Sequence, residues 1–172
     1  MPALESMNDL LVDKLKDLLN AERQLLEALP RMARAARTPA LRKAIEDHHR
    51  MTDTHVARLE DVFGLMNLPP RGKACKGMDG LVEEGKELME KDGADAVKDA
   101  GLIAAAQAVG HYEIAGYGCA LTYAELLGRD DAVELLRATL EEEKETDRRL
   151  SELAESDVNA RAARDGGEPA RA

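Results

Sequence analysis

Residues 102–127 constrain the fold of this chain more than any other stretch, because they form a long helix-compatible run with one misplaced charge. Most positions that recur at helical spacing in this run are small or apolar. These inward positions are Ile103, Ala106, Gly110, Glu113, Tyr117, Ala120, Ala124 and Leu127. Glu113 is the exception, since burying a carboxylate costs several kcal/mol unless a cation, a metal or a proton compensates it. The fold must therefore bring partners from other elements to the level of Glu113.

The composition favours helices along the whole chain. Ala, Leu, Glu, Lys and Arg are frequent, whereas aromatic residues make up 2% and Trp is absent. The frequent residues have high helix propensity, and 172 residues suffice for one hydrophobic core. We therefore predict an all-α bundle over residues 1–155. The apolar period fades after Ser156, so residues 156–172 are expected to form a polar, frayed tail.

Two long helices joined by a short turn are predicted in the first part of the chain. The first begins at Ser6, a good N-cap, and the second begins at Pro39 with Thr38 as its cap. The inward positions are Leu11, Leu15, Leu18, Glu22, Leu25, Leu29 and Met32 in the first helix and Leu41, Ile45, His48, Thr52, His55, Leu59 and Val62 in the second. A turn this short makes the two helices antiparallel neighbours.

A long connection separates this hairpin from a second one. It contains a short amphipathic helix over Met78 to Lys91, so we predict a bundle with one long crossover. The third long helix runs from about Ala94 to Leu127, and Asp130 can cap the fourth. The inward positions of the fourth helix are Leu136, Thr139, Glu143, Thr146, Leu150 and Leu153.

Acidic and histidine side chains from all four long helices are predicted to meet at mid-height. Glu113 and Glu143 lie equally far from Gly128 along the chain, so the turn there brings them level. In the first hairpin, the levels of Glu22 and His48 differ by about 6 Å, which side chains can span. These four residues form the predicted cluster.

Such a cluster is favourable if it holds one or two multivalent cations, because adjacent buried carboxylates otherwise repel each other. Oxygen-rich ligation with a single imidazole suits iron or manganese better than zinc. Asp147, one turn beyond Glu143, is expected to support the site. Two alternatives stay open. One is a metal-free buried polar network, and the other is a neutral core His48 hydrogen-bonded to Thr52 or Glu22.

Other polar residues near the cluster are assigned to other roles. Glu46 and His49 have the ExxH spacing of di-iron bundles, but they lie off the inward face of their helix. His55 and His111 are expected to be structural or surface-exposed. Tyr117 is expected to pack, and it is also the best-placed tyrosine to donate a hydroxyl to the carboxylates.

Several runs of the sequence resemble the YciF/YciE family of bacterial stress proteins. The runs are 21–25 (AERQL), His48 with Thr52, 102–107 (LIAAAQ), 111–118 (HYEIAGYG) and 141–147 (EEEKETD). The resemblance covers about residues 6–160. It implies a ferritin-like, rubrerythrin-like antiparallel four-helix bundle, often dimeric, with a short extra helix in the crossover and a di-metal site. The implied ligands, carried over by position, are Glu22, His48, Glu113, Glu143 and Asp147.

Two positions depart from the family pattern. Family members commonly have a glutamate where this chain has Gly110, and often an acid where it has Met51. The loss of two anionic ligands leaves three outcomes open, which are one bound metal, two weakly bound metals, or none.

The expected function is that of a cytoplasmic, ferritin-like stress-response protein, whose iron or manganese centre reacts with peroxide or oxygen. The alternative is a non-enzymatic, dimeric helical scaffold or partner-binding protein with a degenerate metal site. The resemblance brings no established reaction, so the sequence does not decide whether the chain is an enzyme. Iron storage in a cage is a third, less favoured hypothesis.

Charge and composition argue against other classes of partner. The net charge of -10 disfavours nucleic acid or an anionic membrane surface. No apolar run approaches the roughly 20 residues needed to cross a bilayer, and the first residues lack the features of a signal peptide. Cys75 and Cys119 are isolated in the sequence, which agrees with a reducing cytoplasm.

Overall fold

The computed structural model describes residues 4–165, and all regular secondary structure in this range is helical. The elements are α1 (Met7–Ala35), α2 (Pro39–Leu65), α3 (Lys76–Glu90), α4 (Asp95–Leu126), α5 (Asp130–Leu153), a π-helical turn (Ala154–Val158) and α6 (Asn159–Asp165). The predicted all-α class is therefore confirmed. Among the described helices, none contains a segment long and apolar enough to cross a membrane.

Local sequence signals set several of the helix ends. The hydroxyl of Ser6 accepts a hydrogen bond from the amide of Asp9 at 3.1 Å, which confirms Ser6 as the cap of α1. Pro39 is the first residue of α2, where its missing N–H costs no hydrogen bond. After α4, Gly128 adopts a left-handed φ of 64°, a conformation that glycine reaches without strain.

The turn between α1 and α2 differs from the prediction. Thr38 precedes α2 but makes no side-chain cap, and its hydroxyl instead donates to Asp99 of α4 at 2.5 Å. Asp99 also accepts hydrogen bonds from the amides of Arg37 and Thr38, at 2.8 and 2.6 Å. This buried carboxylate therefore ties the α1–α2 turn to α4.

The four long helices α1, α2, α4 and α5 pack around a shared interior. Helix α1 lies against α2 and α4, and α5 lies against the same two helices. Helix α3 packs on α4 and α1, on the outside of this ring. The bounds of α3 agree with the predicted helix in the long connection to within two residues.

The interior contains two apolar clusters with a polar layer between them. Along α1, one cluster ends at Leu19 and the other begins at Ala21. Along α4, one ends at Val109 and the other begins at Tyr117. Because Glu113 lies within this gap on α4, the polar layer lies at mid-height with apolar side chains above and below it.

The end of the chain departs from the predicted frayed tail, because it stays helical through α6. Buried apolar residues continue at a spacing of four through Leu150, Ala154 and Val158. Arg161 also donates a hydrogen bond to the Thr38 hydroxyl at 2.6 Å, which attaches α6 to the α1–α2 turn. The apolar period therefore extends further than the sequence analysis allows. Residues 166–172 of the expected tail lie outside the described residues.

A candidate metal centre

Five ionisable side chains meet in the polar layer, and none is more than 2% exposed. They are Glu22 of α1, His48 and His55 of α2, Glu113 of α4 and Glu143 of α5. The two histidines are about two turns apart on α2, so both face the interior. Each of the four long helices therefore contributes at least one ionisable group to the layer.

Glu143 lies between the two imidazoles. Its Oε1 atom is 3.3 Å from Nε2 of His48 and 3.3 Å from Nδ1 of His55. Glu113 Oε2 is 3.9 Å from His48 Nε2, and Glu22 Oε1 is 3.4 Å from His55 Nδ1. One ligand atom from each of His48, Glu113 and Glu143 lies within 4.8 Å of the other two, which is close enough to share an ion.

Most polar atoms of the layer have no hydrogen-bond partner within residues 4–165. They are Glu22 Oε2, His48 Nε2, His55 Nδ1, both carboxylate oxygens of Glu113 and both of Glu143. Buried polar atoms in proteins are nearly always paired, because leaving one unpaired costs about 1–3 kcal/mol. Seven such atoms in one layer are typical of a site that a bound ion completes.

The charges in the layer shift one another's ionisation. Burial, together with repulsion from Glu143 and Glu22, raises the pKa of Glu113 well above its ordinary value. Burial also acts to raise the pKa of Glu143, but attraction to His48 and His55 outweighs it and lowers the pKa to about 2. Burial acts to lower the pKa of His55, and its contacts with Glu143 and Glu22 outweigh this and raise it to about 10. These His55 contacts are charge attractions at 3.3 and 3.4 Å that lack the angles of a hydrogen bond.

Tyr117 holds one of the carboxylates in place. Its hydroxyl donates a hydrogen bond to Glu22 Oε1 at 2.5 Å, and its side chain is fully buried. Its ring also meets the His55 ring edge-on, with ring centroids 6.3 Å apart. Tyr117 therefore both packs and donates its hydroxyl, so the two expected roles are combined in one residue.

A chain of polar contacts leads from His55 out of the layer. Its Nε2 atom is 2.9 Å from Glu142 Oε2, and Arg58 holds the same carboxylate with two hydrogen bonds of 2.6 and 2.9 Å. The bond from Arg58 lowers the pKa of Glu142, so this carboxylate is ionised. From the sequence, His55 is expected to be structural or surface-exposed, whereas it lies inside the cluster.

Comparison with known proteins identifies the family of this chain. A family model described as "Domain of unknown function (DUF892)" matches residues 6–163. The chain belongs to this family. It is also 42% identical over 160 residues to Protein YciF of Escherichia coli (strain K12), which covers 92% of this chain and 96% of that protein. The resemblance to the YciF/YciE family is therefore confirmed.

Solved structures support the same relationship. The crystal structure of the E. coli stress protein YciF matches with a TM-score of 0.87 at 42% sequence identity, and the match covers 91% of this chain and 99% of that one. The structure of YcfI from Rhodopseudomonas palustris matches with a TM-score of 0.84 at 39% identity, covering 86% and 94% of the two chains. The chain is thus a homologue of a bacterial stress protein, with a buried cluster of histidine and glutamate side chains.

Asp147 is the predicted ligand that the structure leaves outside the cluster. Its side chain is 22% exposed and lies 3.1 Å from Nε2 of His111, and it accepts a hydrogen bond from Gln107 at 3.0 Å. Four residues turn a helix by about 400°, so Asp147 is rotated about 40° from Glu143. Thr146 is the buried residue at this level of α5 instead. Asp147 therefore belongs to a polar contact between α4 and α5.

The remaining residues singled out from the sequence lie around the layer. Glu46 is exposed and His49 is half-buried, so neither joins the cluster, as predicted. Gly110 is buried, and a Cβ atom added there would lie 3.7 Å from Glu143 Oε2. Position 110, where the resemblance implies a glutamate, therefore borders the layer in this chain.

Proposed function

We propose that this chain is a ferritin-like stress-response protein whose four-helix interior binds iron or manganese. In this proposal Glu22, Glu113 and Glu143 supply oxygen ligands, and His48 supplies nitrogen. The observation that supports it is the set of seven buried, unpaired donor and acceptor atoms in the polar layer. A cation would compensate this set, whereas without one the carboxylates repel each other or hold protons.

The chemistry of the donors fits these two metals. Carboxylate oxygen with imidazole nitrogen suits iron and manganese, while structural zinc sites favour thiolates. Cys75, buried nearby, has its Sγ atom 3.0 Å from the Tyr112 hydroxyl rather than in the layer. Bound iron or manganese would supply a redox couple that reacts with peroxide or oxygen.

The residues of the chain prepare the site for that chemistry. Tyr117 fixes Glu22, and Glu143 lies between two groups of donors, so it would help to hold an ion on either side. The apolar clusters above and below the layer exclude water, and charge interactions are stronger where water is excluded. The site is therefore organised before any ion enters it.

Metal uptake is the direct test. Purified protein is stripped of metal, loaded anaerobically with Fe²⁺ or Mn²⁺, freed of excess ion and assayed for metal per chain. We expect about one equivalent or more for wild type and a loss of most of it for Glu143→Ala. The control is Glu145→Ala, because Glu145 lies two residues further on, outside the layer, and pairs with Arg148 and Arg149. Wild-type uptake below about a tenth of an equivalent would refute the proposal.

Peroxide consumption then separates a redox protein from a protein that only binds metal. Loaded wild type is expected to consume peroxide faster than loaded Glu143→Ala. Equal rates in the two proteins, with metal bound only to wild type, would leave a metal-binding protein without this activity. The enzyme hypothesis therefore depends on this second measurement.

The second candidate is a non-enzymatic helical scaffold with a degenerate metal site. It is favoured by Gly110, which borders Glu143 at the position where the resemblance implies a further glutamate ligand. It is also favoured by His55, whose raised pKa allows an imidazolium to balance Glu22 and Glu143 without any metal. Under this hypothesis, Glu113→Ala leaves both folding and stress protection unchanged in cells.

Assembly and location complete the proposal. We place the protein in the cytoplasm as a homodimer, and peroxide or oxygen, rather than nucleic acid or a membrane, is its partner. Light scattering behind a sizing column tests the dimer and also excludes or reveals a storage cage. Fractionation of cells that express the chain tests the location.

A further inference from the structure

We propose that His55 is a second nitrogen ligand of this centre and coordinates through Nδ1, with its ring held in position by Glu142 and Arg58. This inference rests on the proposed metal-binding function and deepens it. It concerns a residue that sequence reasoning assigned elsewhere.

The outer nitrogen of His55, Nε2, faces away from the layer and already has a partner. Nε2 lies 2.9 Å from Glu142 Oε2, and Arg58 donates to both oxygens of that carboxylate. The Glu142 carboxylate is ionised beside the Arg58 guanidinium, so it can only accept hydrogen bonds. The Nε2 atom of His55 must therefore carry the proton between them. In the neutral imidazole, the lone pair then belongs to Nδ1.

The inner nitrogen points into the layer and has no partner there. The His55 side chain is fully buried, and Nδ1 has no hydrogen bond within residues 4–165. Its neighbours are the acceptor oxygens Glu22 Oε1 at 3.4 Å and Glu143 Oε1 at 3.3 Å. In the neutral ring the Nδ1 lone pair faces two carboxylates, and this conflict is removed either by a second proton on Nδ1 or by an ion shared by the three groups.

The arrangement of a carboxylate, a histidine and a metal in line is common in protein metal sites. The outer carboxylate fixes the tautomer and orientation of the ring and makes the inner nitrogen a better ligand. Glu142 takes the outer place here, and Arg58 in turn fixes Glu142. The two residues are positioning residues because they act through His55.

The second imidazole divides the layer into two groups of donors that share one carboxylate. His48 and Glu113 form one group, Glu22 and His55 form the other, and Glu143 lies between them. This chain therefore has a site with two nitrogens and three carboxylates. It carries less negative charge than a site with acids at positions 51 and 110, and it keeps donors for a second ion.

The test compares His55→Gln with the matched control His111→Gln. His111 is 65% exposed and contacts Asp147 outside the layer. Co²⁺ serves as the probe, because its visible absorption reports the ligands and a competing chelator gives its affinity. We expect His55→Gln to bind Co²⁺ about 10–100-fold more weakly with an altered spectrum, while His111→Gln matches wild type.

A second pair of measurements keeps the inference testable if His55→Gln does not fold. X-ray absorption of Co²⁺-loaded wild type is expected to require imidazole nitrogens from two histidines rather than one. Glu142→Gln, which keeps the shape of the side chain but removes its charge, is expected to bind Co²⁺ several-fold more weakly with two imidazoles retained.

The outcomes separate the two proposals. If wild type takes up neither iron, manganese nor Co²⁺, the proposed function fails and the role of His55 fails with it. If wild type binds Co²⁺ and His55→Gln binds it with the same affinity and spectrum, only the role of His55 is overturned. If X-ray absorption of Co²⁺-loaded wild type requires only one imidazole, the role of His55 as a ligand is also overturned. His55 then serves only as a charge partner of the carboxylates.

Discussion

Helix α4 carries two buried carboxylates that the protein treats in opposite ways. Asp99 is 1% exposed and accepts hydrogen bonds from the amides of Arg37 and Thr38 and from the Thr38 hydroxyl. Glu113 is fully buried about four turns further along, and neither of its oxygens has a hydrogen-bond partner within residues 4–165. The polypeptide satisfies the first carboxylate and leaves the second unsatisfied.

Under the proposed function, this difference separates a structural carboxylate from a metal-binding one. A paired buried carboxylate contributes to stability as the chain stands, whereas an unpaired one is a cost that only a further partner removes. Perturbed, unpaired ionisable groups concentrate at functional sites for this reason. Substitutions at the two positions should therefore change the stability of the metal-free protein in opposite directions.

The largest expected effect is a loss of stability in Asp99→Ala. The two amides and the hydroxyl lose a charged acceptor in a buried place, so the free energy of unfolding should fall by about 3 kcal/mol. Urea unfolding of metal-free protein, followed by circular dichroism, measures the change. Metal uptake per folded chain should stay at the wild-type value, and a folded variant that lost uptake would show that the two carboxylates are not independent.

Glu113→Gln should have the opposite sign and a somewhat smaller size. Because the fold raises the pKa of Glu113 above 4.5, the unfolded chain loses this proton at a lower pH than the folded chain does. The free energy of unfolding of wild type therefore falls as pH rises from about 4.5 towards the pKa of Glu113 in the folded protein. The glutamine variant has no such group and lacks this loss. At pH 8 the metal-free variant should be more stable than wild type, and the gain should vanish below pH 4.5.

The matched control for this pH dependence is Glu145→Gln. The Glu145 side chain is 39% exposed, and hydrogen bonds from Arg148 and Arg149 lower its pKa to about 2. Its contribution is therefore present above the ordinary carboxyl pKa and is lost as pH falls through about 2, the reverse of Glu113. A Glu113→Gln variant that is less stable than wild type at pH 8 would mean that Glu113 is paired in solution.

A smaller loss is expected for Tyr117→Phe. The change removes the 2.5 Å hydrogen bond to Glu22 and leaves a buried carboxylate oxygen without its donor. The metal-free protein should lose about 1 kcal/mol of stability while its packing is retained. Urea unfolding measures the loss, and Tyr123→Phe, at a half-buried position of the same helix, is the control. An unchanged urea midpoint would mean that Glu22, like Asp99, has other hydrogen-bond partners.

The polar layer was predictable in outline because it depends on helix geometry. Helical spacing identifies the inward face of each helix, and the short turns fix the relative heights of the helices in each hairpin. Glu22, His48, Glu113 and Glu143 were found by these two rules, and all four lie in the layer. Asp147, which the resemblance placed among the ligands, lies outside the layer because four residues along a helix turn by about 400°, which leaves it about 40° off the face of Glu143.

His55 and the end of the chain show what spacing does not encode. His55 lies on the inward face of its helix in the sequence, but its role depends on Glu142 and Arg58. The meeting of those side chains is a matter of rotamers and of the approach of α2 to α5. The helix after residue 155 was missed because Val158 and Arg161 have partners only once the α1–α2 turn and α4 are in place. Contacts of this kind arise from the assembled fold rather than from any one helix.

The smallest expected effect is in Gly110→Ala, and it tests how closely the layer borders α4. A glycine inside a helix costs roughly 0.5–1 kcal/mol relative to alanine, so the substitution should raise the free energy of unfolding by about that amount. The added Cβ would lie 3.7 Å from Glu143 Oε2, an ordinary contact distance, so metal uptake should remain within a few-fold of wild type. Gly118→Ala is the matched control, since a Cβ there meets nothing within 4 Å and the gain should be similar. If Gly110→Ala alone abolished uptake, the space beside Glu143 would itself be part of the site. Glu113 and Asp99 would then differ in the space available for a ligand as well as in unpaired charge.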